Sequence, residues 1–139
     1  RVPLIISWPG KIKPSVSNLV SASWDLLPTF ASLIAVKPPD NIDGISLYPT
    51  IFNTNENQQL HPYLYWEFHE QGGKQAVRMG KWKLIKLKVK HAINPKILLF
   101  DLDNDVAETT NLSSKYPDVV QSILKLMDEA HTPSPSFKF

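Results

Sequence analysis

The chain has 139 residues, 42% apolar and 20% charged, with a net charge of +2 and a mean hydropathy of −0.19. That is material for a real core and excludes a disordered chain; no apolar run is long enough for a membrane span. Cysteine is absent, which excludes disulfides, thiolate metal sites and cysteine nucleophiles.

The length suits one domain or the end of a longer polypeptide. The chain begins without Met, inside what reads as a strand, so it is expected to be a piece of a longer protein. An export signal cannot be judged from it.

Residues 2–8, VPLIISW, are a continuous apolar run closed by Pro9-Gly10, the pattern of a buried strand in an α/β sheet. Asp25 then stands at a helix N-cap with Pro28 in the first turn. Leu26, Leu27, Phe30, Leu33 and Ile34 share one helical face, and Pro38-Pro39 prevents continuation. Residues 53–59, NTNENQQ, are the most polar stretch and are expected to be a linker between residues 1–52 and a smaller unit at 60–139.

In that unit Leu64, Trp66 and Phe68 alternate with Tyr65, Glu67 and His69, a strand period. Gly72-Gly73 predicts a tight hairpin turn into KQAVRM, and Gly80-Lys81 turns again into WKLIKLKVK. There Trp82 and Leu84 have one parity while Ile85, Leu87 and Val89 have the other, which predicts a bulge near Leu84–Ile85. KILLFDL supplies a fourth strand. Pro117 opens a helix whose Val119, Val120, Ile123, Leu124 and Met127 form an apolar stripe for one sheet face. TPSPSFKF reads as an irregular tail. The fold class is α+β: a four-stranded antiparallel sheet with a packed C-terminal helix, preceded by a strand and helix from a different layer.

Several patterns invite chemistry and do not sustain it. Ser7-Trp8-Pro9-Gly10-Lys11 has a Lys where a Ser-x-Pro-x-Arg nucleophile motif needs Arg. Asp101-x-Asp103-x-Asp105 starts like a calcium loop, but Val106 and Leu112 occupy the Gly and Glu positions. His61, His69, His91 and His131 form no metal-ligand spacing, so neither a catalytic nor a metal set is assigned. The remaining group is Glu67, His69, Glu70 and Lys74. Glu67 and His69, two apart on a strand, share a face and could hold a proton or a sugar hydroxyl. A merely solvated strand face accounts for the same residues.

Charge is distributed unevenly. Residues 71–100 carry seven Lys and Arg78 with no acid, a net +8, whereas residues 101–139 carry seven acids and three Lys, a net −4. Two readings stand: a solvated hairpin balanced by an acidic helix, or a non-enzymatic module binding polyanions such as glycan or nucleic acid.

Five blocks in order resemble the C-terminal portion of an arylsulfatase-type sulfatase of the alkaline-phosphatase-like superfamily. They are RVPLIISWPGKI, SWDLLPTFASLIAV, DGISLYPTI, YLYWEFHEQGGKQAVRMGKWKLI and LLFDLDNDVAETTNL. The resemblance implies that residues 1–52 are the last strand and helix of a large α/β domain and that residues 60–139 are a small α+β subdomain. It implies sulfate-ester hydrolysis by a formylglycine and a calcium ion, both held by a preceding domain, which would be this chain's partner. It implies that this chain alone is inactive, and that His69, then Glu67, Glu70 and Lys74, line the rim of a pocket for a sulfated small molecule or saccharide. A periplasmic or secreted location follows from the same likeness. Nucleic acid is then not the expected partner, and apolar surface left uncovered would favour self-association. Ala35 stands where the pattern has Gly at a helix end, and Val106 where it has Pro.

Overall fold

The computed structural model describes residues 2–54, 57–90 and 93–136. The chain divides into two compact units, Arg1–His61 and Pro62–Phe139.

In the first unit a 3-10 turn at Ser23–Asp25 leads into α1, Leu26–Leu33, and a short α2 follows at Tyr48–Phe52. Asp25 stands at the N-cap of α1, as expected, but its carboxylate makes no cap bond to that helix. It is fully buried and reaches sideways, accepting from the amides of Ala22 (2.8 Å) and Ile45 (3.0 Å). His61 Nε2 lies 2.9 Å from the same carboxylate. Thr29 reinforces the joint, donating to the Asp25 carbonyl and accepting from Leu47 N–H. Gly44 allows the close approach: a Cβ there would collide with the Trp24 carbonyl oxygen.

α1 ends as the sequence did not fully foretell. Ala35 takes φ 54°, its N–H bonds Ser32 O, and Val36 N–H bonds Ala31 O at 2.9 Å. This is a Schellman end built on alanine, in the left-handed region where glycine is the usual occupant.

Residues 2–8 differ from the sequence expectation. No strand forms there, and Val2 and Ile5 are 87% and 86% exposed. A strand exists only as part of a ladder, and the described residues of this unit contain no other strand to complete one. Of the expected linker, residues 55 and 56 lie outside the described residues. Gln58 is bound back into the first unit, its amide accepting from Thr50 and donating to Ser46 O.

The second unit is a four-stranded antiparallel meander: β1 Leu64–Phe68, β2 Lys74–Met79, β3 Trp82–Leu87 and β4 Lys96–Asp101, in that spatial order. α3, Pro117–Ala130, has Pro117 in its first turn, where no N–H is needed. Its Val120, Ile123 and Met127 pack with Val77, Leu84 and Leu99 to make the core. Ile123, Met127, Leu84 and Leu99 are completely buried, each worth about 1.5–3 kcal/mol of transfer free energy.

Two turn expectations are corrected. β3 pairs residue for residue with β2 and β4 from Trp82 to Leu87, so no bulge interrupts Leu84–Ile85. Trp82 and Leu84 join the helix-side core, and Ile85 and Leu87 lie on the opposite face. Both faces are apolar, which mimics a slip of phase. The irregularity falls at Lys88 instead. It has φ 58°, and beyond it Val89 N–H bonds Gly73 O, one residue more on β3 than on β2. The first hairpin, too, is not a two-residue turn. The last β1–β2 pair is Phe68 with Lys74, leaving a five-residue loop at 69–73 in which Gln71, Gly72 and Gly73 all have positive φ.

Candidate functional site

β1 directs Tyr65 and Glu67 to the helix side of the sheet, and the loop beyond it returns His69 to the same side. The three meet. Glu67 Oε2 lies 3.1 Å from His69 Nε2, and Glu67 Oε1 accepts both from the Tyr65 hydroxyl and from His131 Nδ1, the latter at 2.5 Å. Gln75, opposite Glu67 on β2, donates to the Tyr65 hydroxyl at 2.8 Å. His131 arrives from the end of α3, where its N–H closes the helix on Met127 O.

The electrostatics follow from these contacts. Burial alone would raise the Glu67 pKa. The hydrogen bonds from Tyr65 and His131, with the charge attraction of His131 and the bond from His69, outweigh it and hold the carboxyl below the ordinary range. Burial, then the bond to Glu67, push Tyr65 the other way, so its hydroxyl keeps its proton. An ionised carboxylate only accepts. His69 therefore carries hydrogen on Nε2 and His131 on Nδ1, which fixes the orientation of both rings.

Of the four residues singled out from the sequence, Glu67 and His69 are thus brought together. The His69 ring keeps 22% of its side-chain surface, while its Nδ1 is buried. Glu70 and Lys74 are placed apart from them. Glu70 is exposed in the loop, its carbonyl accepting from Gly73 N–H. Lys74 Nζ donates to Gln71 Oε1 at 2.8 Å and sits 5.2 Å from the Phe68 ring centre.

Tyr65, Gln75 and His131 complete the cluster and were not singled out. The β1 alternation places Tyr65 beside Glu67. No sequence signal joins His131 to a residue 64 positions away.

The other patterns are absorbed by structure. Asp101 accepts from Lys81 Nζ at 2.8 Å, from the amide of Asp103 and from Asn104. Asp105 accepts from the amides of Thr109 and Thr110. These bonds hold both carboxyls below the usual range despite partial loss of water, with Lys81 the first cause at Asp101 and the Thr110 amide at Asp105. Among the described residues no three His, Asp or Glu side chains converge as a cation site would need. His91 lies outside the described residues. No helix among the described residues is long and apolar enough to cross a membrane. At Ser7–Lys11 the backbone makes a turn closed by Lys11 N–H on Trp8 O, with Gly10 at φ 75°.

Solved structures of sulfatases share this arrangement. A Bacteroides thetaiotaomicron sulfatase superposes with a TM-score of 0.65 at 29% identity, covering 76% of this chain and 23% of that one. Ps i-CgsB in complex with k-i-k-neocarrahexaose gives 0.58 at 29% identity, again over 76% of this chain and 23% of that one. The chain belongs to the family of N-sulphoglucosamine sulphohydrolase C-terminal domains, whose model matches residues 1–132. Bovine arylsulfatase K is 34% identical over 132 residues, covering 88% of this chain and 24% of that protein. Bovine arylsulfatase A is 30% identical over 148 residues, covering 93% and 29%. The chain therefore spans about a quarter of the length of these relatives.

Proposed function

We propose that this chain is the C-terminal part of a sulfatase that hydrolyses sulfate esters of a saccharide, and that it supplies packing and a stretch of pocket rim. On this reading residues 1–52 belong to a large α/β domain and residues 60–139 form a small subdomain. The carrying observation is the Glu67 clasp. Three side chains from two elements and a loop are spent on fixing one carboxylate, and with it the His69 loop, at the end of β1. A fixed polar loop is what recognition of a sugar requires.

The roles divide by geometry. Glu67 has both oxygens committed, so it positions His69 and does not itself meet the ligand. His69 sets the loop and offers its ring edge; Glu70 and Lys74 are the polar groups facing out. The calcium ion and formylglycine expected of such an enzyme do not fit the residues here. The acidic turn is spent on Lys81, Asn104 and the Thr109–Thr110 amides, and Ser7 lies in a motif lacking its Arg. Bond breaking is accordingly assigned to another part of the polypeptide, and location outside the cytosol is part of the same proposal.

The experiment is His69→Ala in the full-length protein. The kcat/KM for a sulfated saccharide should fall at least tenfold, about 1.4 kcal/mol, while that for a small aryl sulfate changes less than threefold. Equal loss on both would assign His69 to folding or to the chemistry.

A further inference from the structure

The eight cations of the hairpin region do not form one patch. Lys81 and Lys83 are paired, with Asp101 at 2.8 Å and Glu108 at 2.6 Å. The Arg78 guanidinium reaches the Gly80 carbonyl. All three lie at the end of the sheet where β2 turns into β3. The other end is different. Lys74 and Lys96 begin β2 and β4 and flank Leu87 on one face, since Lys74 pairs with Leu87 and Leu87 with Lys96. Two strand spacings separate them by about 9.5 Å. Lys88 and Lys90 follow in the turn after β3. No carboxylate pairs with Lys74, Lys88 or Lys96 among the described residues.

This lysine end is joined to the His69 loop. Gly73 O accepts from Val89 N–H at 3.2 Å and Gly72 O from Lys90 N–H at 3.0 Å. The loop at 69–73 and the turn at 88–90 are therefore one edge of the sheet. Lys88 sits in that edge at φ 58°, a conformation costly for a side chain other than glycine's. Of the carboxylates in β1 and the loop after it, Glu67 is enclosed by Tyr65, His69 and His131, and Glu70 is exposed in the loop.

We infer that Lys88 and Lys96, continuing from Lys74 at the His69 loop, form an anion-binding edge that receives sulfated saccharide units beyond the one held at that loop. The inference rests on the saccharide-sulfatase reading and deepens it. The ligand is a chain with several sulfates, and the lysines bind by charge, without taking part in bond breaking. Such contacts add affinity through release of counterions, so they weaken steeply with salt.

The test uses the full-length protein and a Lys88→Gln/Lys96→Gln double variant, which leaves the His69 loop untouched. Heparin is the probe. Its Kd should rise about tenfold in low salt, as expected for two exposed ion contacts, and the slope of log Kd against log salt should shrink by about 1–2. Turnover of a monosulfated aryl ester should stay unchanged. A Lys88→Gly variant relieves the backbone and should raise Tm while still weakening heparin binding, which separates charge from folding. Unchanged heparin affinity in the double variant overturns the inference. So does single-stranded DNA bound as tightly as heparin and lost equally, which would make the edge a nucleic-acid surface. Failure of the sulfatase reading shows separately, as a wild-type protein with no turnover of any sulfate ester.

Discussion

At Glu67 each carboxylate oxygen has a task. Oε1 gathers Tyr65 and His131, and Oε2 holds His69. Glu67→Gln keeps the shape but presents an amide N–H₂ where a donor already points. The expected cost is about 1.5–3 kcal/mol at neutral pH, the range for a hydrogen bond to a charged group, read as a drop in Tm. The pH dependence has a definite sign. Because the folded pKa lies below the unfolded value of about 4.3, the carboxylate's contribution is fully present above pH 4.3 and is lost as pH falls through the folded value. The Tm gap between wild type and Glu67→Gln should therefore narrow as pH is lowered from 6 to 3. A gap that stays constant would show that the charge contributes nothing. The pairing of Glu67 with His69 was legible from their two-residue spacing. His131 was not, because its contact depends on where α3 stops against the sheet, a tertiary fact with no local trace.

The elements show where local rules suffice and where they fail. α3 could be read directly, since Pro117 marks its start and the Val120, Ile123, Met127 stripe is what the core buries. β3 misled because both of its faces carry apolar side chains and the alternation is lost, so Ile85 and Leu87 looked out of register with Trp82 and Leu84. The hairpin loop was read too short for a related reason. Gly72 and Gly73 do take positive φ, but Gln71 joins them, and the turn absorbs His69 and Glu70 as well. α1 supplies the prediction at this scale. Ala35 holds φ 54° in a Schellman end, which costs an L-residue about 1–2 kcal/mol. Ala35→Gly should stabilise the protein by about 0.5–1.5 kcal/mol, seen as a rise in Tm of roughly 2–6 °C. A fall in Tm would mean that the alanine methyl makes a packing contribution larger than the strain.

For the molecule as a whole, the fold class was legible because patterning and turn residues agree along the second unit. The first unit was less so. An apolar run such as residues 2–8 encodes burial, yet burial needs a neighbour, and Val2, Leu4 and Ile5 are exposed here. The same division governs function. Internal pairing consumes Asp101 and Asp105, two of the acids that resemble a cation loop, while the His69 loop and the lysine edge remain turned outward. The proposed account therefore places recognition in this chain and bond breaking outside it. The direct measurement is a crystal structure of the full-length protein with a sulfated saccharide bound. The account predicts saccharide atoms in contact with the 69–74 loop, and a reacting sulfate surrounded by side chains from outside residues 1–139. A sulfate enclosed by nucleophile and charge-stabilising groups drawn entirely from these 139 residues would contradict it.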